Sequence, residues 1–524
     1  MNIPNTKIKK DFILILDFGS QYSHMIARRI RDIGVYTLLY HYNDISIYDI
    51  ISKKPKGLIL SGGPFSVYEK NSPLISKNIF KLNIPIFGIC YGMQLISFLF
   101  GGKIKKSKKK EYGKSYLIIN KDHSNNNLLF HGIPDKSVVW MSHFDEVKNI
   151  PNKFQVIGYT SSCAIAAFSD LNQDIYAVQF HPEVKNTEYG ISMLRNFVFR
   201  ICKCSSNWKL DNFLQKKIDN IKKRVDKKKV ILGFSGGVDS FVTAYIIHQA
   251  IGNSLICIFV DTGLFLKTEK EKISSLCKKM HFTVKIIDAK NRFLSKLTGV
   301  VDPERKRKVI GEEFISIFQK ESEKIQDVEF LAQGTIYSDI IESSVFSKTS
   351  DTIKSHHNVG GIPKTLMRLK LIEPLKQLFK DEVRKIGEKL GLPKEILYRH
   401  PFPGPGLGIR IIGEINEKKI SILKEAEDIL LQELKNYDIY YTVSQAFIVL
   451  LPVKTVGIKG DKRTYEYAAV LRVTNTEDFM TASVSHLSYD FLERVSNRIT
   501  NEVHGINRIV YDITSKPPST IEWE

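Results

Sequence analysis

The sequence predicts an α/β protein in which two doubly wound units follow one another, with a smaller third segment at the end. Three observations carry this. A strand-like apolar run enters a tight turn and leaves as a helix twice, at Ile84–Phe100 and at Lys229–Ile247. Apolar strands alternate with helix patterns, as at Leu255–Gly263 and Val284–Ala289, which is the signature of a parallel sheet wrapped by helices. The 524 residues, 43% of them hydrophobic, suffice for several cores.

Composition narrows the class further. The six cysteines, Cys90, Cys163, Cys202, Cys204, Cys257 and Cys277, form neither a disulfide framework nor a zinc pattern, since Cys202-x-Cys204 lacks a second pair. The formal net charge of +21 raises the question of a nucleic-acid partner. It is spread as lysine enrichment along the chain, so none is expected. Ile84–Gly102 carries no charge and precedes the lysine run Lys103–Lys110, as a membrane span would. Pro85, Gly88, Gly92, Gln94 and Ser97 interrupt it, so a strand and a short buried helix are expected there, followed by a solvated lysine loop. We expect no leader before Asp11 and a cytoplasmic location.

The first turn holds Cys90, at a helix N-terminus where the dipole favours thiolate over thiol. Alone it reads as a small buried residue. A strand ending in His181-Pro182-Glu183 changes the balance. Alternation along an extended chain puts His181 and Glu183 on one side, as base and orienter for a thiol nucleophile. The loop Ser61-Gly62-Gly63-Pro64 and the N–H of Tyr91 are the candidate oxyanion donors. These residues, with Asp17–Tyr22, Ala27–Arg29 and Trp140–His143, resemble the class I glutamine amidotransferases over residues 11–203. The resemblance implies hydrolysis of glutamine through a glutamyl thioester and adds Gln94 and His143 as glutamine-site candidates. Phe144 stands where that family's pattern has glycine.

The second turn reads Ser235-Gly236-Gly237-Val238-Asp239-Ser240. Its glycines let phosphate approach backbone N–H groups beside a helix N-terminus, the serines offer hydroxyls, and Asp239 offers a carboxylate to Mg2+. Gly233–Gly237 also fits a serine-hydrolase elbow, and a plain strand-to-helix turn is the bland alternative. Neither uses the whole hexapeptide, which resembles the loop of the ATP pyrophosphatases. Phe241 completes the candidate ATP segment, although a small hydroxyl residue is usual in that position.

Punctuation at Ser205–Trp208 and at the loop Arg399–Gly408 sets expected segments of 11–203, 206–400 and 401–524. Their order, with Asp302–Lys308, Ser355–Gly361 and the ending Lys516–Glu524, is similar to that of the glutamine-hydrolysing GMP synthases. The resemblance implies ATP and Mg2+, adenylylation of XMP, and amination to GMP by ammonia from glutamine. It also implies an α+β dimerisation domain at the C-terminus, a homodimer, and XMP or phosphate contacts from Lys516, Glu522 and Lys380. Deleting Lys516–Glu524 is expected to remove XMP binding before it removes folding, because the segment is too polar at its start to be only a core strand. A tRNA-modifying amide- or sulfur-transfer enzyme on the same ATP loop is the alternative, and a non-catalytic nucleic-acid binder is a further one.

Overall fold

The computed structural model describes residues 11–120, 127–267, 269–337, 339, 368–476 and 481–524, so the Ser355–Gly361 motif lies outside the described residues. The described chain divides into two compact units, one ending at Phe213 and one beginning at Leu214.

In the first unit, strands β1 (Phe12–Asp17), β2 (Tyr36–His41), β3 (Gly57–Leu60), β4 (Ile86–Ile89), β5 (Lys103–Ile119), β6 (Lys136–Asn149), β7 (Gln155–Tyr159), β8 (Ala167–Asp170) and β9 (Ile175–Val178) form one sheet. The order is β2-β1-β3-β4-β9-β8-β7-β5-β6. The half from β2 to β9 is parallel, and β1, β3, β4 and β9 are buried along their whole length, which is why they read as unbroken apolar runs. The other half is antiparallel, an extension that the alternating strand and helix pattern did not announce.

Two expectations are settled here. The uncharged run Ile84–Gly102 divides into β4 and a nine-residue helix, Tyr91–Leu99; among the described residues no helix is long and apolar enough to cross a membrane. The lysine loop is corrected, because Lys103 to Lys106 open β5 in register with Asn149, Val147, Glu146 and Asp145 of β6. Alternation explains it: Lys103 and Lys105 are exposed while Ile104 between them packs on the core. Trp208, from the expected polar connector, stacks on Tyr36 at 4.8 Å with the Arg31 guanidinium 5.3 Å over its own ring.

The second unit begins with a five-stranded parallel sheet of β10 (Lys229–Gly233), β11 (Leu255–Asp261), β12 (Val284–Asp288), β13 (Val328–Ala332) and β14 (Lys370–Ile372), ordered β12-β11-β10-β13-β14. A long hairpin, β15 (Gln445–Lys459) and β16 (Lys462–Asn475), then pairs with β17 (Ser483–Val484) and β18 (Ile506–Tyr511). With helices Glu417–Asn436 and Tyr489–Glu502 this is the α+β segment. One core joins both parts of the unit, running from Ile231 and Ile258 through Leu407 to Leu423, Ile448 and Phe491. The proline-glycine loop is fastened to it: Leu407 N–H donates to Leu264 O at 2.9 Å, and Gly406, at φ 63°, leaves no room for a Cβ, which would lie 2.4 Å from that same oxygen.

The segment up to Glu524 packs into this unit, so the residues expected to contact XMP also contribute to the fold. Ile521 is buried beside Phe447 and Val470. Lys306, fully buried, donates to the Glu524 carboxylate at 2.5 Å and to Ile411 O at 2.7 Å, and Arg307 donates to Glu524 O at 2.5 Å. Burial pushes the Lys306 ammonium below the usual lysine range while Glu524 pulls it back. Removing one member of a buried pair strands the other charge and costs about 3 to 5 kcal/mol. Glu524→Ala therefore lowers the thermal midpoint of this unit by several degrees, and adding Lys306→Met recovers most of the loss, as differential scanning calorimetry of the two variants would measure.

Candidate functional site

β4 delivers the chain to Cys90, which turns it with φ 51° and ψ −105° before helix Tyr91–Leu99 begins. A non-glycine residue there is strained by about 1 to 3 kcal/mol, and only tight surroundings hold it. They are tight because two glycines flank it. A Cβ on Gly88 would lie 2.6 Å from Ile96 Cδ1, and one on Gly92 2.2 Å from Leu60 O. Cys90 N–H donates to Val178 O at 2.8 Å and Gly92 N–H to Ser61 O at 3.0 Å, fastening the turn to its two neighbouring strands.

His181 and Glu183 lie beyond the end of β9, in a turn rather than along an extended strand, so alternation is not what joins them. They meet directly: His181 Nδ1 is 2.8 Å from Glu183 Oε1, and both side chains are buried. The turn is held by His181 N–H on Trp140 O at 3.0 Å, Thr187 Oγ1 on His181 O at 2.6 Å and Arg29 Nε on Glu183 O at 3.2 Å. Tyr22 packs edge-on against the imidazole at 5.0 Å. Burial opposes the imidazolium, but the Glu183 charge and hydrogen bonds to Cys90 and Glu183 outweigh it, raising the His181 pKa to about 10. Glu183 Oε2 makes no hydrogen bond, so little else in the protein competes for its charge. The arrangement places a positively charged imidazole beside Cys90.

The sequence missed Gln179, whose Nε2 lies 3.6 Å from Cys90 Sγ, and the Ser142 carbonyl, 3.7 Å from the same sulfur. Gln179 is the first residue after β9, a strand-end position where a polar side chain was the available signal. Two expected glutamine contacts stand one layer back. Gln94 donates to Asp145 O at 3.0 Å and to Gln179 Oε1 at 3.3 Å. His143 has Nδ1 3.0 Å from Asp145 O and Nε2 3.3 Å from Glu111. Both are buried, with the Gln94 amide N–H and His143 Nδ1 turned to the Asp145 carbonyl. The Tyr91 hydroxyl is likewise spent on Pro73 O at 2.8 Å, leaving its N–H at the first helical position. Gly62 and Gly63 face this centre: a Cβ on Gly62 would lie 3.3 Å from His181 Cε1, and one on Gly63 2.7 Å from Phe18 O.

In the second unit, β10 leads through Phe234–Gly237 into helix Val238–Ile251. Gly236 sits at φ 76°, and a Cβ on it would be 2.2 Å from Ile273 Cδ1. Ser235 Oγ accepts from Gly237 N–H at 3.3 Å and Ser240 Oγ donates to Gly237 O at 2.8 Å, shaping the loop. The N–H groups of Val238, Asp239 and Ser240 open the helix, where no intrahelical partner exists. Phe241 is a correction to the expected ATP segment. Its ring is fully buried 4.8 Å from Phe234, and its N–H already donates to Gly237 O at 3.0 Å. Lys380 opens helix Lys380–Lys389 and reaches Asp239 Oδ2 at 2.6 Å; Asp239 Oδ1 is buried without a hydrogen bond among the described residues. Such an unsatisfied oxygen at a phosphate-shaped loop fits one Mg2+ contact. No cluster of three or more potential metal-binding side chains occurs among the described residues, so the other ligands would come from phosphate oxygens and water.

Lys516 pairs through its backbone with Ala482, N–H to O at 2.8 Å. Glu522 accepts from Arg410 at 2.9 and 3.2 Å and from Gln445 at 2.7 Å, so it is first of all the partner of a buried guanidinium rather than a carboxylate held open for a purine.

Comparison with known proteins agrees with this geometry. The family model for glutamine amidotransferase class-I matches residues 14–201, that for NAD synthase residues 208–312, and that for the GMP synthase C terminal domain residues 432–523. A glutamine-hydrolysing GMP synthase from Fusobacterium nucleatum is 54% identical over 99% of this chain and 100% of its own. The chain belongs to the glutamine-hydrolysing GMP synthases. The Borrelia garinii member is 55% identical over 98% of this chain and 96% of its own, and the Aquifex aeolicus member 51% identical over 98% and 99%. The protein is thus an ATP-using ligase of GMP biosynthesis with glutamine as amide donor.

The electrostatics of the thiol centre carry a pH consequence. Glu183→Gln removes the charge that holds the His181 pKa up, so burial prevails and the pKa falls. The positive charge beside Cys90 is then lost. Alkylation of Cys90 by iodoacetamide at pH 7, followed by mass spectrometry, slows about tenfold in this variant.

Proposed function

We propose that Cys90 is the nucleophile of glutamine hydrolysis, with His181 as proton carrier and Glu183 as its orienter. Its sulfur attacks the side-chain amide carbon of glutamine. The Tyr91 N–H and the Gly62–Gly63 loop receive the charge that develops on oxygen, each donor contributing about a hundredfold in rate. His181 hands its proton to the departing ammonia, then takes one from the water that cleaves the glutamyl thioester. The single observation that carries this reading is the buried imidazole, paired with a carboxylate at 2.8 Å beside a strained cysteine turn.

In the second unit we assign the ATP phosphates to Ser235, Gly236, Gly237, Val238, Asp239 and Ser240. The 2-oxygen of XMP attacks the α-phosphate, pyrophosphate leaves, and ammonia displaces AMP to give GMP. Bound Mg2+ supplies charge neutralisation to the leaving pyrophosphate. This chain contributes the free oxygen of Asp239 for holding it and the Lys380 ammonium as a second cation for the phosphates. Lys516 is assigned to the XMP phosphate, with Glu522 kept in place by Arg410 at the same site. We read segments 11–203, 206–400 and 401–524 as the amidotransferase, adenylylating and dimerisation parts of a cytoplasmic homodimer. The exposed apolar side chains Val453, Val456, Ile458 and Tyr465 on the β15–β16 hairpin favour a second copy of the chain as their cover.

Two substitutions separate the centres. Cys90→Ala abolishes glutamine-dependent GMP formation and leaves synthesis from added ammonium chloride within about twofold; equal loss of both would refute the assignment. Asp239→Asn reverses the pattern, with XMP-dependent exchange of labelled pyrophosphate into ATP falling at least about a hundredfold while basal glutaminase persists. Parental exchange in that variant would remove Asp239 from the site.

A further inference from the structure

An oxyanion hole works only if its peptide N–H groups already point at the place where charge will develop. A peptide is planar and trans, so fixing its carbonyl oxygen fixes the opposite direction of its N–H. In the loop beside His181 that carbonyl is fixed by a side chain. Ser61 Oγ donates to the Gly62 carbonyl at 2.8 Å, which sets the plane of the Gly62–Gly63 peptide. Glycine on both sides gives this peptide more freedom to rotate than other residues would allow, so without a restraint its orientation is weakly determined.

The hydroxyl is itself tightly held. Ser61 is fully buried, its Oγ accepts from Phe18 N–H at 3.1 Å, and Asp17 Oδ1 lies 3.4 Å away. That one carboxylate oxygen also accepts from Gly19 N–H at 2.9 Å, Ser20 N–H at 3.2 Å and Ser23 Oγ at 2.6 Å. Asp17 therefore shapes the turn after β1, and this turn touches the catalytic centre twice. It carries Tyr22, which packs on the His181 ring, and it carries Ser20, whose Oγ lies 3.3 Å from where a Gly62 Cβ would be. The Phe18 carbonyl closes the other side, 2.7 Å from a Gly63 Cβ position.

We propose that Ser61 is a positioning residue that keeps the Gly62–Gly63 peptide in its oxyanion-binding orientation before glutamine arrives, and that Asp17 is the anchor that holds Ser61 and the facing turn. Neither touches the reacting atoms. The proposal rests on Cys90 as nucleophile. It adds that a buried hydroxyl sets the plane of this peptide.

The test separates transition-state stabilisation from thiolate formation. Alkylation of Cys90 by iodoacetamide is a direct displacement that develops no oxyanion, whereas glutamine hydrolysis develops one twice. In the full-length enzyme, Ser61→Ala is expected to lower kcat for glutamine at least tenfold, with KM within threefold and the rate of Cys90 alkylation at pH 7 within twofold. Asp17→Ala should follow Ser61→Ala, whereas Asp17→Asn, which keeps an acceptor oxygen, should recover kcat to within about threefold of the parent. Circular dichroism and the thermal midpoint are measured for each, and Asp17→Asn carries the test if Asp17→Ala does not fold. Unchanged kcat in Ser61→Ala overturns the proposal. So does a parallel fall of kcat and alkylation in a folded variant, which would assign Ser61 to the thiolate. Failure of the nucleophile assignment shows separately, as glutamine turnover that survives in Cys90→Ala.

Discussion

The chemistry of the first unit depends on a cysteine held at φ 51° between a buried strand and a helix. That conformation puts the following N–H at a helix start, where negative charge is welcome. It exists because the chain on either side has no Cβ to spare. With side chains at Gly88 and Gly92 the helix could not lie this close to β3 and β4, and Cys90 would relax to an ordinary strand or helix geometry. The residues around it then follow in layers. Gln179 and Ser142 reach the sulfur, Gln94 holds Gln179, and Asp145 receives both Gln94 and His143 through its carbonyl. A strained turn persists only when its surroundings over-determine it, and these buried polar contacts do so.

The second unit uses the same strand, glycine turn and helix start for a different task. At Cys90 the site is buried and the charges are internal, an imidazolium paired with a carboxylate. At Ser235–Ser240 the loop is partly open, and the side chains mainly shape the backbone, leaving N–H groups for an outside anion. The ion pair of Lys380 and Asp239 suits that openness. Their side chains are 41% and 29% exposed, so the pair is weak and readily exchanged. The pair of His181 and Glu183 is buried and cannot be exchanged in that way.

What was legible in the sequence was local. The two turns announce themselves because glycine, cysteine and aspartate at fixed offsets between apolar runs suit a strand, a tight turn and a helix start and suit little else, and the fully buried parallel strands read directly as apolar stretches. What stayed hidden was decided by partners distant in sequence. Lys103–Lys106 look like a loop until β6 is beside them. His143 meets Asp145 O through Nδ1 and lies 3.3 Å from Glu111 through Nε2, neighbours that no local pattern announces. Phe241 follows the phosphate loop in sequence, yet the helical turn it completes sends its ring into the core against Phe234. Glu522 could be read as a ligand acceptor only while Arg410, more than a hundred residues upstream, was unplaced.

The C-terminal residues show how far a polar segment can be structural. Arg472 is fully buried, and its guanidinium donates to Thr514 O at 2.5 Å, Asp512 O at 3.3 Å and Thr520 O at 3.3 Å, with the Asp512 carboxylate 3.3 Å away. These acceptors lie on both sides of Lys516. A guanidinium has donors on several nitrogens in one plane, so a single side chain can gather carbonyls that no backbone ladder would satisfy. The loop that presents Lys516 is thus folded around a cation rather than around an apolar core. A residue of similar volume but no charge at 472 would fill the space, yet the Asp512 and Thr514 carbonyls would lose their guanidinium donor and Thr520 O would be left to the Ser519 hydroxyl. The position of Lys516 is therefore set by hydrogen bonding from beneath, and the polar character of the tail, which suggests a free end, is what lets a buried arginine organise it.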